Sequence, residues 1–189
     1  MPIERPSEEE LKALLVSEDL PPSEPRRNQN ISGSIRHQCY VEKFYNAAES
    51  LLPSEIAEEI RGIDFCTISV ASREQTNSQI RAKLYALGWS TEGRRDDRSR
   101  ADFRKNDTEL EVQLRQKTNV LHDIIKFQKA FNNERLSYAI MILFDTSVPI
   151  WGENGQDASI QSLDGLISEF VPNEINLKIP LWAIGLLPH

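Results

Sequence analysis

Residues 101–130 read ADFRKNDTELEVQLRQKTNVLHDIIKFQKA, and the reading of this stretch decides the fold. Thr108 to Leu114 alternates polar and apolar side chains, the pattern of a β-strand. Glu109, Glu111 and Gln113 then share one face, and Leu110, Val112 and Leu114 share the other, buried one. Asn106-Asp107 supplies turn chemistry just before the strand. If Ala101–Arg104 folds back as the other arm of a hairpin, Asp102 and Glu111 converge within bridging distance of one cation. Two carboxylates with a few waters are the usual way to hold Mg²⁺ against a phosphate. Thr118 to Phe131 follows as a helix; Val120, Leu121, Ile124, Ile125, Phe127 and Phe131 are too many for a narrow stripe, so it is largely buried. Lys126 and Lys129 are assigned to its solvent side, and His122 to a structural or surface role.

Ser137 to Phe144 is a continuous apolar run, the signature of a strand buried on both faces. Strand, helix and hidden strand make a crossover unit on a mixed sheet. The fold class expected is therefore α/β, one domain with a central mixed β-sheet flanked by helices.

The run Asp102-Phe103-Arg104-Lys105-Asn106-Asp107-Thr108-Glu109-Leu110-Glu111-Val112-Gln113 resembles the catalytic core of the BglII/BstYI group of type II restriction endonucleases. That group belongs to the PD-(D/E)XK nucleases, whose usual signature is Asp, a spacer, and Glu-X-Lys. Here Gln113 stands where lysine is the rule, as in the group's Glu-Val-Gln variant. The wording matches over about a dozen residues, and weaker similarity runs from Thr76 to Leu143. The resemblance implies Mg²⁺ held by Asp102, Glu111 and the Val112 carbonyl, with Gln113 orienting the attacking water. It also implies a third polar residue in the metal's water shell at Glu92, where the group carries Asn and a related type carries Glu. Specificity would come from base edges in the major groove, with Gln116, Lys117 and Asn154 as the nearest polar readers. Cutting both strands of a palindrome, with a GATC-like core by resemblance, implies a homodimer on double-stranded DNA. A companion DNA methyltransferase is the partner such an enzyme implies. Two alternatives share the fold: a DNA-binding protein without cleavage, and a repair-type nuclease without sequence preference.

Net charge of −7 counts against a DNA-binding protein, but the charge is uneven. Residues 1–25 hold two basic and seven acidic groups, and residues 145–189 one basic and six acidic. Residues 81–117 hold ten basic and seven acidic, so the region around the proposed site is positive. Its charge run 93–100, GRRDDRSR, reads as a solvated loop or, with Arg94 and its neighbours set before Asp102, as a phosphate-facing one.

The remaining elements follow in order. Ser7 caps a short amphipathic helix, and the proline-rich run 20–30 is a linker, making residues 1–30 an arm and 31–189 the nuclease domain. Ser34 to Leu52 shows apolar residues at helical spacing up to Pro53. Ser54 opens a short helix ending near Gly62, and Asp64 to Val70 is β-branched enough for a strand. Ser72 begins a helix closed by Gly88, and Trp89 to Glu92 begins the first core strand. Residues 145–159 form a long polar loop with Thr146 and Ser147 as further base contacts, and 159–170 a helix. Leu177 to Leu187, with Pro180 inside, reads as a final edge strand, after which the C-terminal β subdomain of the group's larger members is not expected. Cys39 and Cys66 have no metal-ligand spacing and are expected as buried free thiols. No apolar run reaches membrane-spanning length and the N-terminus lacks a signal core, so cytoplasmic residence is expected.

Overall fold

The computed structural model describes residues 31–69, 72–91, 101–114, 117–144 and 177–187. Six strands are present among them: β1 (Ile31–Arg36), β2 (Tyr40–Tyr45), β3 (Phe103–Lys105), β4 (Thr108–Val112), β5 (Tyr138–Phe144) and β6 (Leu181–Leu186). Four helices accompany them: α1 (Ala48–Leu51), α2 (Ser54–Arg61), α3 (Arg73–Ala86) and α4 (Lys117–Asn132). The strands form one sheet in the order β1-β2-β6-β5-β4-β3. β4, β5 and β6 run parallel, and antiparallel partners flank them on both sides. The sheet is therefore mixed, as expected.

Two apolar layers cover it. On one face Phe44, Leu110, Val112, Ile140, Ile142, Trp182 and Ile184 pack with residues of α1, α2 and α3. On the other, Tyr45, Ala139, Met141, Leu143, Leu181 and Ala183 pack with Val120, Ile124 and Phe127 of α4. Strand β5 is buried from Ala139 to Phe144, because both layers close over it. The β4–α4–β5 crossover stands as read from the sequence. So do α2, which ends at Gly62, and α3. The Ser72 side chain caps α3 by accepting from the Gln75 amide, and Gly88 at φ 79° turns the chain out of it.

Other expectations are corrected. The helix foreseen over 34–52 is the β1–β2 hairpin followed by the single turn of α1. Strand β2 lies between β1 and β6 and buries side chains on both faces, so its apolar residues do not alternate. Their spacing imitates a helix, and Asn46 and Ala47, both at positive φ, end the strand where a helix would have continued. The strand foreseen over 64–70 is a 3₁₀ turn, Phe65–Thr67. Asp64 decides it: its carboxylate accepts from the Cys66 amide and its carbonyl from the Thr67 hydroxyl. The strand foreseen from Trp89 is reduced to one bridging position, Ser90 opposite Arg104.

The last strand, β6, is central rather than an edge. Pro180 precedes it, so the missing N–H falls outside the ladder, and the Pro180 carbonyl accepts from the Ala139 amide. The approach to β6 is fixed by two side-chain amides, one half-buried and one buried. Asn46 donates to the carbonyls of Leu177 and Ile179, and Gln128 accepts from the amides of Lys178 and Ile179.

Cys39 and Cys66 are not free thiols but a disulfide, and Cys66 is exposed. The return of the chain through α2 lays the 3₁₀ turn across the β1–β2 connection, 27 residues apart in sequence. Disulfides are uncommon in reducing compartments, so this one counts against the cytoplasmic residence expected from the sequence. No helix among the described residues is long and apolar enough to cross a membrane. The arm 1–30, the loop 145–159 and the helix 159–170 lie outside the described residues.

Candidate active site

The hairpin of β3 and β4 builds the site. Asn106, at φ 54°, makes the turn, and Lys105, Arg104 and Phe103 pair with Thr108, Glu109 and Leu110. Asp102 and Glu111 come next on the two chains, one residue beyond the last ladder pair, Phe103 with Leu110. Strand β3 stops at Phe103, and the Asp102 side chain takes over from its main chain by accepting the Val112 amide at 3.1 Å. The two carboxyl groups lie within hydrogen-bonding reach of each other. Residues far from paired in sequence thus meet because the antiparallel register puts them face to face.

Each acid is held from a different layer. Arg81 of α3 donates to Asp102 at 3.1 Å, its guanidinium lying 4.8 Å over the Phe103 ring. Glu111 faces α4 instead, and only 6% of it is exposed. The face assigned to polar residues is thus a covered one: all five residues of β4 are buried. Asp123 and Lys126 of α4 complete the cluster. The Lys126 ammonium is 2.6 Å from Asp123 Oδ1 and 4.0 Å from Glu111 Oε1. Gln113 Nε2 donates to Asp123 Oδ2 at 2.5 Å.

The assignment of Lys126 to the solvent side is therefore corrected, whereas Lys129 is exposed as expected. The signal for Asp123 was in the sequence. Val120 and Phe127 point inward, and position 123 lies three and four residues from them on the same helical face. His122, half exposed, has its Nδ1 3.8 Å from Asp123 Oδ1.

Among the described residues the acids of the site outweigh the positive charge around Glu111. Burial, then the carboxylates of Asp123 and Asp102, push the Glu111 carboxyl up to about 9. Burial pulls the Lys126 ammonium down, but Asp123 and Glu111 more than offset it and its pKa lies above the ordinary lysine value. A buried acid held protonated beside a second acid is the donor set expected of a cation site, since a divalent ion would remove the cause of the shift. The residues present fit a divalent cation in that sense. Among the described residues no set of three His, Cys, Asp or Glu side chains forms a cation cage; Asp102 and Glu111 are the acids brought together at the hairpin.

Two further basic residues of the motif are structural. Lys105 donates to both oxygens of Glu59 at 2.6 and 2.8 Å and to the Leu87 carbonyl at 2.9 Å, tying the hairpin to α2 and to the end of α3. Arg104 donates to the carbonyls of Asn106 and Arg135. Lys105→Met is expected to lower stability by about 1–2 kcal/mol, the pair with Glu59 being partly screened, while DNA cleavage stays within about twofold of wild type. Urea melts and a digestion time course check both halves; a cleavage defect larger than the stability defect explains would place Lys105 in the site. Of the other sequence-predicted residues, Lys117 opens α4, while Glu92, Arg94, Gln116 and Asn154, with Thr146 and Ser147, lie outside the described residues.

The family model described as "Restriction endonuclease BglII/BglIII" matches residues 40–186, most of the chain. The chain belongs to the BglII/BglIII restriction endonuclease family. Among solved structures it is similar to one described as "Crystal structure of restriction endonuclease BGLII complexed with DNA 16-mer". The likeness has a TM-score of 0.67 at 16% identity and covers 79% of this chain and 77% of that one. At that identity the likeness speaks to the fold, which it shares. A search of curated proteins finds no match. Membership of this family implies a nuclease that hydrolyses DNA.

Proposed function

We propose that the protein is a Mg²⁺-dependent type II restriction endonuclease that cuts both strands of a short palindrome, one with a GATC-containing core, as a homodimer. The observation that carries this reading is the meeting of Asp102 and Glu111 at the open end of the hairpin, inside a family of DNA-cutting enzymes. Asp102, Glu111 and the Val112 carbonyl would hold Mg²⁺, with Glu92 in its water shell. The ion would polarise the phosphate and lower the pKa of a water.

The chain's own groups do the rest. Gln113 is no base, since an amide takes no proton near neutral pH. Its nitrogen is committed to Asp123, so its carbonyl oxygen is the acceptor that orients the attacking water. Arg81 holds Asp102 from the α3 side and keeps its carboxylate aimed across the hairpin. Arg94 would meet backbone phosphate, and Gln116, Lys117 and Asn154 base edges. Cytoplasmic residence, where the Cys39–Cys66 pair, exposed at Cys66, would be open to reduction, and a companion methyltransferase that protects the same sites belong to the same proposal.

Digestion of supercoiled plasmid by wild type and Glu111→Ala, with and without Mg²⁺, tests the reading. Discrete bands with wild type, lost in the variant and without metal, are expected. A smear would point to a nuclease without sequence preference. No cutting at any Mg²⁺ concentration would leave a DNA-binding protein that does not cleave.

A further inference from the structure

Position 113 carries an amide where the general pattern of these nucleases carries lysine, so the catalytic strand brings no positive charge there. A lysine arrives from the opposite side instead. Lys126 projects from α4 with its side chain only 24% exposed, and its ammonium lies 2.6 Å from Asp123 Oδ1 and 4.0 Å from Glu111 Oε1. The second oxygen of Asp123 takes the Gln113 amide. One carboxylate thereby joins the side chain at position 113 to an ammonium from the helix. A long lysine on a helix surface gains little from such pinning and loses its rotamer freedom. A buried ion pair is likewise no better for stability than apolar packing of the same volume. The arrangement calls for a reason beyond stability.

We infer that Lys126 is a catalytic residue, supplying from α4 the positive charge that the strand lacks at position 113, with Asp123 as the positioning residue that holds the ammonium and the Gln113 amide together. This rests on the nuclease reading above. In the reaction the water oxygen bonds to phosphorus and the P–O3′ bond breaks. O3′ leaves with the electron pair and takes a proton from solvent, and solvent receives the proton lost by the attacking water. Negative charge builds on the phosphoryl oxygens meanwhile. An ammonium has three donors, and the bond to Asp123 uses one, so Lys126 meets that charge while staying anchored. The same side chain stands beside Glu111, which places it next to the phosphate that the acid pair receives.

Single-turnover cleavage of supercoiled plasmid separates the outcomes, with wild type, Lys126→Gln, Lys126→Arg, Asp123→Asn and the pair Gln113→Lys/Lys126→Gln. Lys126→Gln removes the charge and keeps an N–H donor on a side chain one atom shorter; thermal melts verify that it folds. Its cleavage step is expected to slow by about 10²–10³-fold, with DNA affinity measured in Ca²⁺ changed less than about threefold. Lys126→Arg recovers part of the rate, and the pair recovers at least about tenfold over Lys126→Gln because the ammonium returns from the strand. Asp123→Asn slows cleavage with unchanged affinity, by loosening the ammonium. Lys126→Gln cutting within about threefold of wild type overturns the inference. So does a loss that neither Lys126→Arg nor the pair repairs, because the side chain then matters for packing alone. A wild type that does not cut fails the nuclease reading itself, whereas a cutting wild type with an unimpaired Lys126→Gln fails only this inference.

Discussion

Glu111→Gln is expected to abolish DNA cleavage and, in the absence of metal, to make the protein harder to unfold. The two effects have one cause. Glu111 is buried among Asp123 and Asp102, and Lys126 compensates only part of that negative field. Its carboxyl is pushed up to about 9 in the folded protein, against an ordinary value of 4.5. Between those values the unfolded chain has released the proton and the folded chain still holds it, so stability falls as pH rises through that window. A glutamine has no proton to give up and escapes the penalty. The metal-free variant should gain on the order of 2 kcal/mol at pH 8, or roughly 5 °C in melting temperature for a chain of this size. Its melting temperature should also depend less steeply on pH between about 5 and 9 than that of wild type. Cleavage should fall by about 10³-fold or more, since an amide neither holds Mg²⁺ as a carboxylate does nor restores its charge. Thermal melts across pH with chelator present, beside plasmid digestion with Mg²⁺, measure both. A metal-free variant less stable than wild type at pH 8 would show that Glu111 is not held against its neighbours.

Arg61→Ala is expected to produce the largest loss of stability without touching the site. Glu42 on β2 is fully buried, and Arg61 of α2 is its main partner, with contacts of 2.8, 3.1 and 3.2 Å. His37 adds one contact at 3.0 Å. The guanidinium also lies 5.5 Å over the Trp182 ring and 6.0 Å over Phe44, so it joins α2 to the two strands on which it packs. Its removal strands a buried carboxylate; with the Arg61 side chain 42% exposed and His37 still in contact, the cost is about 2–3 kcal/mol, or roughly 5–10 °C. Removing the acid as well, in Glu42→Leu/Arg61→Leu, should recover most of that loss, because an apolar pair of similar volume needs no desolvated charge. Urea denaturation of the single and double variants decides it. A single variant that loses less than about 1 kcal/mol would mean that water reaches Glu42 when Arg61 is gone.

The acid pair was legible because it is local. Asp102 and Glu111 lie on the two arms of one tight hairpin, whose turn residues and alternation are written in consecutive positions. The crossover to β5 was legible for a similar reason: a buried helix and an unbroken apolar run leave few other arrangements. The β1–β2 hairpin was not, since an inner strand buried on both faces loses the alternation that marks a strand. Lys126 was misplaced because a lysine on a helix is ordinarily solvated, and nothing local says that an acid waits on the strand beneath it.

By itself, then, the sequence determined the β4–α4–β5 unit and the opposition of two carboxylates. Both follow from spacing within a few turns of chain, where backbone geometry fixes which side chains share a face. Only the tertiary structure decided that β6 fills the middle of the sheet, that Cys39 meets Cys66, and that Asp123 and Lys126 close over Glu111. Those contacts join residues whose nearness depends on how layers stack and strands order, and no local pattern carries that information.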